Sequence, residues 1–234
     1  MPVNSKSLQF DSPVILLGGA EVSTEQLFQV LARTYPLVAA DGGANHLLGT
    51  EVIPDAIVGD LDSLTHQANW QKRTKLLSIT EQDSTDFEKC LYSVQAPWYL
   101  ALGFCGQRLD HTLASLHVLM QRLHSQHVLL LSEDDVIVLC DCSVSIQLDV
   151  ASRLSIFPLT PVKFASSRGL LYPLDALHMQ IGSSIGTSNS VTTGDVHIQL
   201  NDDSSGCYAL IAARDQLPAF EDLIKARANA AAGE

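Results

Sequence analysis

The chain has 234 residues, enough for one large domain or two modest ones. With 46% hydrophobic and 17% charged residues it has a globular composition, and no apolar run approaches the roughly 20 residues of a membrane-spanning helix. Its formal net charge of -12 argues against binding along nucleic-acid backbones and implies that any phosphate bound here is met by a cation.

The opening segment MPVNSKSLQFDSP lacks the apolar core of a secretory signal. The five cysteines (Cys90, Cys105, Cys140, Cys142, Cys207) are scattered without a C-x-x-C pair. Both features point to a reducing, cytoplasmic setting and to no thiolate metal site. From there the hydrophobic period alternates between strand and helix. PVILLGG is a short apolar strand stopped by glycines, STEQLFQVLARTY an amphipathic helix capped by Ser23 or Thr24, and PLVAADGG a second strand. DAIVGD and KLLSI follow as strands, then a helix through TDFEKCLYSV, the strand WYLALG, a helix through DHTLASLHVLMQRLH, and the strand HVLLLS. Such nearly continuous apolar strands belong to a parallel sheet buried on both faces.

Near residue 140 the period changes to two. SVSIQLDV, RLSIFPL, LHMQIG, VHIQLN and CYALIAA alternate as antiparallel strands, with SSRG, GSSIGTSNS and NDDSSG as the turns between them. The expected organisation is a three-layer α/β domain with a mainly parallel sheet over residues 1–142 and an antiparallel β-sandwich over residues 143–234. The tail LPAFEDLIKARANAAAGE reads as a terminal helix or a fraying end.

Four polar clusters fall just after strands of the first half: DGGAN (Asp41 to Asn45), GDLDS (Gly59 to Ser63), QDSTDFEK (Gln82 to Lys89) and GFCGQRLDH (Gly103 to His111). The carboxyl ends of parallel strands share one edge, where ligands collect, so four clusters in succession mark a site although each alone is ordinary turn chemistry. Asp60 and Asp62 stand two apart, and in an extended or loop segment both carboxylates can face one hard cation. Mg2+ uses one or two protein carboxylates and completes its shell with water and phosphate oxygens. The alternative is that Asp60 accepts turn N–H groups while Asp62 caps the next helix.

Asp86 and Lys89, three apart on a helix, face the same side and offer a metal ligand or base beside a phosphate-binding cation, or else a surface ion pair. Arg108 and Asp110 sit at a helix start, where backbone N–H groups and a planar guanidinium both suit phosphate; an Arg108–Asp110 bridge is the competing reading. His111, His117 and His124 have no zinc-like spacing. Neither a G-x-G-x-x-G turn nor a P-loop is present, which leaves phosphate binding to carboxylate-held Mg2+.

Taken in order, DGGAN, GDLDS, QDSTDFEKCL and RLDHTLASL, followed by GLLYPL and GTSNS, resemble the thiamin pyrophosphokinase family over most of the chain. The resemblance implies a homodimer, ATP and thiamin as substrates, and Mg2+-dependent transfer of the terminal diphosphate of ATP to the hydroxyethyl oxygen of thiamin, releasing AMP. It assigns Asp60, Asp62, Asp83 and Asp86 to the metal, and Asp41, Asn45, Lys89, Arg108, Asp110 and His111 to the nucleotide. Gln82, Asp86, Tyr172, Ser188 and Asn189 would meet thiamin, with Asp62, Asp86 and Arg108 carrying the chemistry. Two positions depart from the family pattern: Gln107, often glycine, and Tyr172, which can be tryptophan. A pyrophosphokinase for another heterocyclic alcohol, such as a hydroxymethylpterin, and a non-catalytic nucleotide sensor are the alternatives.

Overall fold

The computed structural model describes residues 7–106 and 108–232, so Gln107 and the segment before residue 7 lie outside the described residues. It divides into two compact units, Met1–Glu133 and Asp134–Glu234. The division precedes the strand Asp135–Cys140, rather than following residue 142. DVIVLC reads as one more apolar strand of the first series, and only its antiparallel pairing with Tyr208–Ala213 assigns it to the second unit.

In the first unit, the two-residue β1 (Leu8–Gln9) pairs in parallel with β6 (Val94–Gln95), outside the main sheet. That sheet is built from β2 (Val14–Leu17), β3 (Leu37–Ala40), β4 (Ala56–Gly59), β5 (Lys75–Ser78), β7 (Tyr99–Leu102) and β8 (Val128–Leu131). All its pairings are parallel, in the order β8-β7-β2-β3-β4-β5. Every residue of β2, β3, β4, β7 and β8 is buried, as expected of strands covered on both faces. Each fully buried Val, Leu or Ile side chain contributes about 1.5–3 kcal/mol of burial free energy.

The connecting helices are α1 (Thr24–Leu31), the short α2 (Gln67–Trp70), α3 (Asp86–Ser93) and α4 (Leu109–Arg122). Ser23 caps α1 in a reciprocal box with Gln26, and Thr85 caps α3 by accepting the Glu88 N–H. β2 pairs with β3 on one side and β7 on the other, so the winding reverses there and the loops after β2 and β7 part to open a crevice. Among the described residues no helix is long and apolar enough to cross a membrane.

The second unit holds β9 (Asp135–Cys140), β10 (Val144–Gln147), β11 (Arg153–Pro158), β12 (Val162–Arg168), β13 (His178–Met179), β14 (Gly186–Ser190), β15 (Asp195–Leu200), β16 (Tyr208–Ala213) and the terminal α5 (Leu217–Ala232). They form two antiparallel sheets, β14-β11-β16-β9 and β10-β15-β12-β13, and Phe164 meets Tyr208 edge to face between them at 5.4 Å. Two segments expected as turns are strands. SSR ends β12, and GTSNS forms β14, an edge strand whose register on β11 shifts between Leu154 and Ile156. Their polar, largely exposed side chains hide the strand period, while the ladder itself is made by the backbone.

Candidate active site

A cleft of about 570 Å3 opens at the carboxyl ends of the parallel strands, lined among others by Gly19, Asp41, Asp60, Gln82, Asp86, Lys89, Phe104 and Arg108. Asp41 enters it directly from β3. The residue adopts φ +44°, which aspartate tolerates better than most side chains, and begins a 3-10 turn over Asp41–Leu47. Of the two glycines after it, Gly43 is a steric necessity: a Cβ there would lie 2.1 Å from the Leu17 carbonyl oxygen. β4 ends one strand away at Gly59, where a Cβ would stand 2.7 Å from Asp41 Cβ and 3.3 Å from Asp86 Oδ1. The two strand ends thus bring DGG and GDLD together.

Between Asp60 and Asp62, Leu61 is buried at φ +68°, so the chain reverses there and both carboxylates serve the same end of the cleft. Ligand oxygens of Asp41, Asp60 and Asp62 all lie within 4.8 Å of one another. Asp60 Oδ1 accepts the Asp62 N–H at 3.4 Å, as a turn would require, but Asp62 caps no helix, since α2 begins at Gln67 after His66. Ser63 Oγ donates to Asp62 Oδ1 at 3.0 Å, and the Ser63 N–H donates to Asp41 Oδ2 at 3.2 Å.

Asp41 is 2% exposed, and its Oδ1 is buried with no hydrogen-bond partner. Burial pushes its pKa up to about 6; the Ser63 N–H opposes the rise, and Asp86, Asp60 and Asp62 add to it. Asp60 is held below the ordinary carboxylate range, first by the Gln82 amide at 2.9 Å and also by the Asp62 N–H and Lys89. A buried, unpartnered carboxylate oxygen beside two more hard oxygens fits Mg2+ and does not suit a soft metal.

Asp86 opens α3, and its Oδ1 accepts from Lys89 Nζ at 3.2 Å, while the same ammonium reaches Asp60 Oδ2 at 3.4 Å. Lys89 is 2% exposed, so the pair is no surface bridge. Burial would lower its pKa, but Asp86 and Asp60 outweigh that and raise it. Asp83 is exposed and outside the three-carboxylate group; its N–H goes to Glu81 Oε2 at 2.9 Å. Asn45 spends its amide on the loop after β4, donating to the Ser63 carbonyl and accepting from the Thr65 N–H and hydroxyl. It shapes the cleft wall by holding that loop.

Arg108 and Asp110 form the bridge that was the competing reading, with Nη2 to Oδ2 at 2.6 Å, both exposed at the start of α4. Arg108 and His111 line the rim. Ser63, which closes the Asp41 carboxylate on one side, and the stacked Phe87 and Phe104 rings at 4.3 Å were not singled out from sequence. Ser63 had a signal in its place directly after D-L-D; the ring pair, 17 residues apart, had none.

In the second unit, the Tyr172 ring is 63% exposed and is no part of the sandwich core. Its backbone is clamped by the buried Asn189, whose Oδ1 accepts the Tyr172 N–H at 3.0 Å and whose Nδ2 donates to the Tyr172 carbonyl at 2.7 Å. Asn189 Oδ1 also accepts the Ser190 N–H at 2.9 Å, so that side chain positions Tyr172. Ser188 is exposed at φ +56°, with its N–H on Ser155 Oγ at 3.0 Å.

The model of the thiamin pyrophosphokinase catalytic domain matches residues 28–131, and that of the thiamin pyrophosphokinase vitamin B1 binding domain matches residues 142–204. Thiamin pyrophosphokinase 1 of Caenorhabditis elegans is 29% identical over 180 residues, covering 69% of this chain and 74% of that protein. Thiamine pyrophosphokinase 2 of Arabidopsis thaliana is 27% identical over 247 residues, covering 87% and 91%. Among solved structures, thiamin pyrophosphokinase from Candida albicans superposes with a TM-score of 0.73 at 18% identity, over 87% of this chain and 89% of that one. The yeast thiamin pyrophosphokinase gives 0.73 at 18% identity over 91% and 92%. At these identities the superpositions show a shared fold.

Proposed function

The chain belongs to the thiamin pyrophosphokinase family, and from that membership and the acidic cleft we propose that it transfers the terminal diphosphate of ATP to the hydroxyethyl oxygen of thiamin, with Mg2+ held by Asp41, Asp60 and Asp62. The observation that carries the metal assignment is the buried, unpartnered Asp41 Oδ1 within a group of three carboxylates. Mg2+ bound there supplies Lewis-acid neutralisation of phosphate charge.

The reaction forms a bond from the alcohol oxygen to the β-phosphorus and breaks the bond to the α-phosphate, releasing AMP. The chain has three tasks in this. Arg108 and the start of α4 offer a guanidinium and the positive end of the helix to the phosphates. Asp86, with Oδ1 fixed by Lys89, keeps Oδ2 to accept the alcohol proton. In the second unit Tyr172 offers an exposed aromatic face to a cationic, flat substrate, held by Asn189, with Ser188 beside it in sequence.

We take the working form to be a homodimer in the cytoplasm. The family resemblance supports the dimer, and five free cysteines are in keeping with a reducing compartment. The test is an assay that separates AMP from ADP, run with and without thiamin and with EDTA in place of Mg2+. Thiamin-dependent AMP, abolished by EDTA, is the expected outcome; ADP, or AMP formed without thiamin, contradicts it.

A further inference from the structure

The carboxylates of Asp41, Asp60 and Asp62 meet at one end of the cleft, and Asp86 stands near enough to act on them: burial raises the pKa of Asp41, and Asp86, Asp60 and Asp62 add to that rise. Among the described residues, the ion pairs to this group come from Lys89, through Asp60 Oδ2 at 3.4 Å and Asp86 Oδ1 at 3.2 Å. A lysine that grips phosphate needs a reachable ammonium with charge to spare. Lys89 is 2% exposed and already bonded to two carboxylates. Its bonds are also selective by atom: with Gln82 it occupies Asp60 Oδ2 and leaves Asp60 Oδ1, Asp86 Oδ2 and the unpartnered Asp41 Oδ1 uncommitted by either side chain.

We infer that Lys89 is a positioning residue and a built-in cation: it holds Asp60 and Asp86 in place while no divalent cation is bound, and its charge weakens divalent binding enough that the metal enters together with the nucleotide. This rests on the reading of the acidic group as the divalent site. The physical basis is Coulombic. Without a cation the four carboxylates repel one another in a partly buried site, and a fixed positive charge relieves that repulsion. The same charge opposes a second cation arriving nearby, whereas a polyphosphate brings its own negative charge and restores the balance.

The experiment uses the full chain with Lys89→Met, Lys89→Gln and Lys89→Arg, and Mn2+ as the probe. Free Mn2+ is followed by electron paramagnetic resonance with and without ATP, and unfolding temperature is measured in EDTA and in Mn2+. Removing the charge in Lys89→Met or Lys89→Gln is expected to tighten Mn2+ binding without nucleotide by roughly tenfold. It is also expected to lower the unfolding temperature in EDTA, with recovery in Mn2+, and to reduce kcat with little change in the KM for ATP. Lys89→Arg should bind Mn2+ as the parent does. Unchanged or weaker Mn2+ binding, or a raised KM for ATP at preserved kcat, overturns the inference, and so does failure of both neutral variants to fold in Mn2+. The underlying reading is tested separately by Asp62→Asn. If the parent binds Mn2+ with ATP and Asp62→Asn does not, the divalent site stands whatever Lys89 does; if the parent binds none, both fall.

Discussion

Ser63 closes one oxygen of Asp41: its N–H reaches Oδ2 at 3.2 Å and leaves Oδ1 buried without a partner. The pKa of about 6 follows from that half-satisfied burial. Between pH 3.8 and about 6 the folded chain keeps a proton on Asp41 that the unfolded chain has released. Without metal, folding therefore loses stability as pH rises through that window, and the loss is complete above it. Asp41→Asn removes the effect and suits the left-handed backbone. In EDTA its unfolding temperature should match the parent near pH 4 and exceed it by pH 7, while turnover falls by roughly two orders of magnitude. A variant less stable than the parent at pH 7 would contradict the assignment of strain to this carboxylate.

Gly59→Ala tests how closely the two acidic loops are pressed together. Its Cβ would meet Asp41 Cβ at 2.7 Å and Asp86 Oδ1 at 3.3 Å. Overpacking of this kind costs about 1–3 kcal/mol. Chemical denaturation should show that loss, and Mn2+ titration a weakened site. Unchanged metal affinity would mean that the loops have room to move apart.

Tyr172 and Asn189 should separate by stability. The Tyr172 ring is 63% exposed, so Tyr172→Ala should change folding free energy by no more than about 0.5 kcal/mol while raising the KM for thiamin far more than that for ATP. Asn189→Ala leaves the Tyr172 N–H and carbonyl without their partner and should cost about 1–3 kcal/mol, with a rise in thiamin KM as a consequence. Equal effects of Tyr172→Ala on both substrates would remove it from thiamin recognition.

The Arg108–Asp110 pair lies in solvent, where ion pairs contribute little. Arg108→Ala should leave the unfolding temperature unmoved yet lower kcat/KM for ATP by roughly 100-fold. A stability loss with normal kinetics would make the bridge its whole role.

The site's address was legible because strand ends in a parallel sheet share an edge: apolar runs closing in DGG and GDLD announce both the strands and what they present. Other features depend on tertiary contact. The left-handed backbone at Asp41 and Leu61 is visible only in the fold; aspartate tolerates that conformation, and leucine gives no local sign of it. Lys89, at i+3 from Asp86, has the spacing of an exposed helix pair, and only Asp60 from another strand end shows that it is buried. Asn189 reads as a ligand until its amide is seen bonded to the Tyr172 backbone. GTSNS, expected as a turn, is the strand β14 for a related reason, since strand membership there follows from the partner and not from the segment's own period.

The central claim is that the carboxylates of Asp41, Asp60 and Asp62 serve diphosphate transfer from ATP to thiamin. It is tested most directly by quantifying AMP and thiamin diphosphate together, for the parent and for Asp62→Asn, at saturating ATP and low Mg2+. Asp62 is exposed, so the variant should fold as the parent does. The account predicts AMP and thiamin diphosphate in equal amounts from the parent and a loss of most turnover in Asp62→Asn at an unchanged unfolding temperature. Near-normal AMP from Asp62→Asn, or ADP in place of AMP from the parent, would contradict it.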